Sequence, residues 1–164
     1  MSSCDRRSLL MALAALPLAG CGFAPAYGPA GGADVLTRSI ALTPPETRRD
    51  YLLARHVERR LGRAADPAFL LDVDLDIREE RIAITDANIT RRFDLVGNAD
   101  YTLTTADGAE VARGRVSSFT GYSATGTTVA TRAARGDAEE RLMTMLADQI
   151  VTRLIAAAPT LPGS

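Results

Sequence analysis

The chain does almost without four residue types: its 164 positions hold two cysteines, one histidine, no tryptophan and no lysine, so all 19 basic residues are arginine. Each shortage narrows the function. Nucleophilic and metal-dependent catalysis leans on His and Cys, and His56 with Cys4 and Cys21 is thin material for either. The 19 basic residues face 20 acidic ones, for a net charge of −1, so the basic excess of a nucleic-acid binder is missing and no nucleic-acid partner is expected. Any anion site must be local. Arginine suits bidentate recognition of phosphate or carboxylate, but an all-arginine set is read as genome background. Long apolar runs are scarce as well, which excludes a multi-span membrane protein. With 46% apolar and 24% charged residues, the composition also excludes disorder and collagen, and it fits one globular domain with extras.

What is present begins at the N-terminus. Residues 1–20 combine a polar start carrying Arg6 and Arg7, an apolar run at 9–18, and the small pair Ala19-Gly20, the layout of an export signal. A ten-residue helix reaches about 15 Å, half of the roughly 30 Å hydrocarbon core, so a transmembrane anchor is the weaker reading. Leu18-Ala19-Gly20-Cys21 resembles the lipobox of bacterial lipoproteins, which implies that Cys21 is acylated and becomes the new N-terminus. Several acyl chains meet the requirement for stable anchoring. Gly22 rather than Asp after the cysteine implies delivery to the outer membrane, where Cys21 would insert in the lipid. Arg6-Arg7 leaves both the general and the twin-arginine export routes open. With Cys4 discarded and Cys21 lipidated, no thiol remains for a disulfide or a metal.

Residues 21–34 are rich in Gly, Pro and Ala and read as a tether. The domain is expected over 35–158, opening with a strand at 35–42 that Pro44-Pro45 ends. A helix is expected over 46–61, with Tyr51, Ala54, Val57 and Leu61 as its apolar positions and Gly62 as its C-cap. Phe69, Leu71, Val73, Leu75 and Ile77 alternate with Asp72, Asp74, Asp76 and Arg78, a strand with one core face and one wet face. Strand character continues over 82–85, and Asp86-Ala87-Asn88 supplies a turn. A second strand carries Phe93, Leu95, Ala99, Tyr101 and Leu103 on one parity, Asp107-Gly108 marks a hairpin, and a third strand covers 110–122. In this last strand the alternation changes phase near Gly114, which predicts a bulge or a close approach. Residues 123–136 carry no clear pattern. An amphipathic helix is expected from Asp137 to about Ala157, with Gln149 and Arg153 at the edge of its stripe, then a disordered tail at 159–164. The order strand, helix, three strands, helix predicts an α+β fold: a two-layer sandwich of a mostly antiparallel four-stranded sheet packed on two helices.

No enzyme signature accompanies this fold. Walker, dinucleotide-binding, His-Glu-x-x-His and Gly-x-Ser-x-Gly sequences are all missing. His56 reads as a rim residue without a role, and Asp72, Asp74 and Asp76 read as a solvated strand face rather than a Ca²⁺ site or an acid pair. No catalytic residue, metal or cofactor is expected.

The lipobox with Gly22-Phe23, the element order, Tyr51 and Leu61 on the first helix, Tyr101 before Asp107-Gly108, Tyr122, and Gln149-Ile150 with Arg153-Leu154 together resemble the LPS-assembly lipoprotein family, LptE. The resemblance spans nearly all of 21–157. It implies a non-enzymatic lipoprotein that plugs and assists the outer-membrane β-barrel translocon LptD and binds lipopolysaccharide during its insertion into the outer leaflet. A small domain with a polar sheet face suits a water-filled barrel. For lipid A phosphates or core acids the best local basic group is Arg91-Arg92, with Arg78 and Arg81 as neighbours across the hairpin; the alternative is that these are solvated charges paired with Glu79, Glu80 and Asp94. Two other readings are an accessory lipoprotein of another envelope machine, such as a secretin pilot, a barrel-assembly subunit or part of a lipid-transport ABC system, and a lipid-anchored hydrolase. The last would need an acid or nucleophile cluster that the sequence does not contain.

Overall fold

The structure, a computed structural model, describes residues 33–84 and 90–162, with the backbone alone at 83, 84, 90 and 91. The expected signal peptide at 1–20, Cys21, the tether as far as Gly32, and the turn at Asp86-Ala87-Asn88 lie outside the described residues. The elements run α1 (Ala33–Leu36), β1 (Ile40–Leu42), α2 (Arg48–Leu61), β2 (Phe69–Ile84), β3 (Thr90–Thr105), β4 (Glu110–Ser123) and α3 (Thr128–Ala157), ending in a 3-10 turn at Ala158–Thr160. The sheet order is β1-β2-β3-β4, with β1 parallel to β2 and the other pairs antiparallel, which is the α+β class expected.

Period-two alternation assigns the faces. Phe69 and Leu71 are buried and Val73, Leu75 and Ile77 half-buried, while Asp72, Asp74, Asp76 and Arg78 are exposed. The register sets Leu71 against Leu103, Leu75 against Ala99 and Ile77 against Gly97, so both strands turn apolar side chains to one side. β4 adds Val116 and Tyr122, opposite Ala99 and Phe93. The phase change in β4 has two causes at two places. The register slips between Leu103 and Thr104, where Val111 is left without a partner. Gly114 is the close approach: the Tyr101 ring lies over it, and a Cβ there would stand 2.6 Å from the tyrosine hydroxyl. β2 is one long strand, irregular between Arg81 and Ile84.

The helices cover the apolar side, α3 over β3 and β4, with α2 packed alongside α3. α2 starts at Arg48, later than expected, because Thr47 is its cap: Thr47 Oγ1 accepts from the Asp50 N–H, and the Asp50 carboxylate accepts from the Thr47 N–H. Gly62, at φ 79, ends it as expected. Its buried stripe is Leu52, Leu53, Val57 and Leu61, whereas Tyr51, expected in the core, is 56% exposed. Steps of four from Leu53 keep the larger side chains inward, and Ala54 gives way to them.

Three further expectations are corrected. Residues 35–42 are not one strand: α1 buries Ala33 and Leu36, the chain turns through Arg38 at φ 57, and only Ile40–Leu42 pairs with β2. A buried pair three apart fits a helical turn better than a strand. α3 opens well before Asp137, with Thr127 Oγ1 accepting from the Ala130 N–H, and buries Ala138, Leu142, Met143, Leu146, Ala147, Ile150, Val151 and Leu154. Gly97 lets it close onto the sheet, since a Cβ there would stand 3.1 Å from both Leu142 and Leu146. The tail, expected to be disordered from Pro159, packs as far as Leu161, which is buried beside Ala158.

Candidate interaction surfaces

The sheet face turned away from the helices is polar and largely self-compensated. Arg115 grips Asp100 through two bonds of 2.6 and 2.7 Å, which holds the Asp100 carboxyl below the ordinary aspartate range and the guanidinium above its own. Arg78 reaches Asp76 at 2.7 Å and Arg113 reaches Glu110 at 2.8 Å. Val96 and Phe119, in register across β3 and β4, are apolar on this face, as is the exposed Leu70 of β2, and Phe119 is 68% exposed.

The four arginines singled out in the sequence share one end of the β2–β3 hairpin but not one face. Arg78 is on the polar face, bound to Asp76 rather than to Glu79, Glu80 or Asp94. Arg92 shares that face, beside Asp94 and Gly121. Arg81 registers with Phe93 and is exposed on the helix-bearing side, because an odd separation along a strand reverses the face. The side chain of Arg91 lies outside the described ones.

On the helix side, this end of the sheet holds a charged bridge that sequence reading does not find. Phe93 and Tyr122 stack with centroids 5.3 Å apart. Burial, with the Glu79 carboxylate next and its hydrogen bond to the phenol, raises the Tyr122 hydroxyl above the ordinary tyrosine range. Glu79 also pairs with Arg135 of α3 at 3.0 Å, and Glu139 one turn on binds Arg49 of α2 at 2.8 Å. His56 likewise has a carboxylate partner invisible at helical spacing: its Nε2 lies 3.0 Å from Asp148 Oδ1 on α3, which also takes Arg60 at 2.6 Å. Among the described residues, no group of three His, Cys, Asp or Glu is placed to hold a metal ion. No described helix is long and apolar enough to cross a membrane.

The two long edges of the sheet differ. Along β4, three α3 side chains reach round to carbonyl oxygens that face outward: Arg153 to Arg115, Gln149 to Ser117 and Arg141 to Gly121, at 2.8, 3.1 and 3.2 Å. The stripe-edge residues Gln149 and Arg153 therefore close an edge. β2 is paired with β1 only over Phe69–Leu71. Beyond that point its edge borders a cleft of about 730 Å³ between Val73, Leu75 and the start of α2, with Leu53 and Ala54 on the helix wall and Thr43-Pro44-Pro45 at one end.

The family model described as "LptE: Lipopolysaccharide-assembly" matches residues 37–154. The crystal structure of a putative lipoprotein from Caulobacter crescentus CB15 superposes with a TM-score of 0.65 at 29% identity, covering 79% of this chain and 98% of that one. The rare lipoprotein B of Shewanella oneidensis gives 0.56 at 11% identity over 72% and 92% of the two chains. A minor lipoprotein of Acinetobacter baumannii gives 0.53 at 12% identity over 71% and 88%. The last two show likeness of fold alone. No curated protein matches the chain.

Proposed function

Because the chain belongs to the LptE lipopolysaccharide-assembly family, we propose that it is an outer-membrane lipoprotein, held on the periplasmic side by acylated Cys21, that plugs and assists an LptD-like β-barrel translocon and binds lipopolysaccharide during its insertion into the outer leaflet. It acts by occupying and binding, with no catalytic step. The observation that carries the plug reading is the polar sheet face, on which Asp100 with Arg115 and Asp76 with Arg78 are already paired. Such a face suits a polar, water-filled lumen, because these paired charges need no partner from the barrel wall and the remaining ones stay in water. Lipid A phosphates or core acids would be met at the end of the β2–β3 hairpin that carries Arg78, Arg81, Arg91 and Arg92, arginine being suited to bidentate contact with phosphate.

The test is extraction of the tagged lipoprotein from membranes in mild detergent, with identification of whatever leaves in stoichiometric amount. A large β-barrel translocon subunit is the expected companion. Recovery alone, or with a secretin or a transporter subunit, would contradict the reading.

A further inference from the structure

β1 leaves β2 for a reason written in the sequence. Phe69 N donates to Ser39 O and Thr43 N donates to Leu71 O, so the odd-numbered residues of β2 turn their backbone groups toward β1. On that line the donor needed for Val73 O is residue 45, and residues 44 and 45 are prolines without an N–H. β1 must peel away there. Val73, Leu75 and Ile77 therefore present outward N–H and C=O groups to which, among the described residues, no side chain or strand bonds. The contrast with β4 is direct, since there α3 caps the outward carbonyls.

The side chains flanking this edge select what could add to it. On the helix side Leu53, Ala54, Val73 and Leu75 line the cleft. On the other side stand Asp72, Asp74 and Asp76, of which Asp76 has Arg78 while Asp72 and Asp74 have no cationic partner among the described residues. Asp74 moreover faces Asp100 across the β2–β3 ladder, and the Arg115 guanidinium beside that pair is bound to Asp100. A second copy pairing through β2 would set one aspartate row against another, and like charges opposed across strands repel. The chain's own segment 21–32 contains Pro25 and Pro29 and no basic residue. Both occupants are disfavoured.

We infer that the open edge of β2, from Val73 to Ile77, accepts an extended strand of a partner protein that carries basic side chains at alternate positions and small apolar ones between them. Main-chain bonds would hold the strand, and the aspartate row would choose it. This goes beyond the proposed function and does not depend on the identity of its barrel partner.

The test uses the full-length lipoprotein in detergent micelles, a synthetic peptide alternating arginine and valine, and a matched glutamate–valine peptide, with amide hydrogen exchange read residue by residue. The arginine peptide is expected to slow exchange at Val73, Leu75 and Ile77 by about tenfold or more while leaving the β4 edge unchanged. Replacing Asp72→Arg with Asp74→Arg, both exposed, is expected to exchange the preference so that the glutamate peptide protects instead; thermal melting verifies that the variant is folded. Equal protection by both peptides, protection at β4 rather than β2, association of the protein with itself through β2, or no protection at all would overturn the inference.

Discussion

Tyr122 concentrates several of the forces at work in this fold. Its ring stacks on Phe93, and its hydroxyl bonds Glu79, which in turn holds Arg135 of the long helix. Because burial and Glu79 raise its pKa, the folded chain holds the phenolic proton more tightly than the unfolded chain does. That contribution to stability is complete below the ordinary tyrosine range and is lost as pH rises through the raised value. Urea midpoints measured from neutral pH to above about pH 10 should therefore fall on the alkaline side, and the fall should shrink in Tyr122→Phe. An identical alkaline slope in the variant would contradict this account of the residue. At the same end of the sheet, substituting Arg91→Ala together with Arg92→Ala is expected to weaken lipopolysaccharide binding by about tenfold, two charge-assisted contacts being lost, with the melting temperature little changed. Unchanged binding would remove these arginines from the site.

Among the elements, α3 is the one whose extent was least legible in the sequence. Its last turns carry a stripe from Ala138 to Leu154 at helical spacing, and that part is plain from periodicity. Its opening turns, from Thr128 to Gly136, are Ala- and Thr-rich and have no buried residue to mark a stripe, so only the Thr127 cap announces the start. Gly136 sits inside the helix with nothing within 4 Å of where a Cβ would be. Gly136→Ala should thus stabilise the protein by about 0.5–1 kcal/mol, measured as a raised urea midpoint; a lower one would mean that this part of the helix is not formed. The three long strands, the Asp107-Gly108 hairpin and the Gly62 cap were legible because each rests on local chemistry: alternation, and glycines at φ 88 and φ 79. The pairing of His56 with Asp148 and of Glu79 with Arg135 was not, since each joins residues distant in the chain that only the packed layers bring together. The brevity of β1 lay between these cases. Pro44-Pro45 marked its end, but the helical turn of α1 was hidden in an apolar pattern too short to separate from a strand.

At the scale of the whole molecule, the described residues form a sheet with one apolar face under two helices, one polar face with many of its charges paired, one edge closed by arginine and glutamine, and one edge that no described residue closes beyond β1. A family match over residues 37–154 covers this entire sheet and nearly all of α3. For the family role proposed here, the lipid anchor, the barrel partner and the glycolipid all belong to one process, the delivery of lipopolysaccharide to the cell surface. Depleting the lipoprotein in its own cells and labelling newly made lipopolysaccharide at the surface tests that claim most directly. The account predicts that surface lipopolysaccharide falls as the protein is lost, while the full pool accumulates behind the outer membrane, and that the wild-type gene restores delivery. Undiminished surface lipopolysaccharide after complete depletion would contradict it.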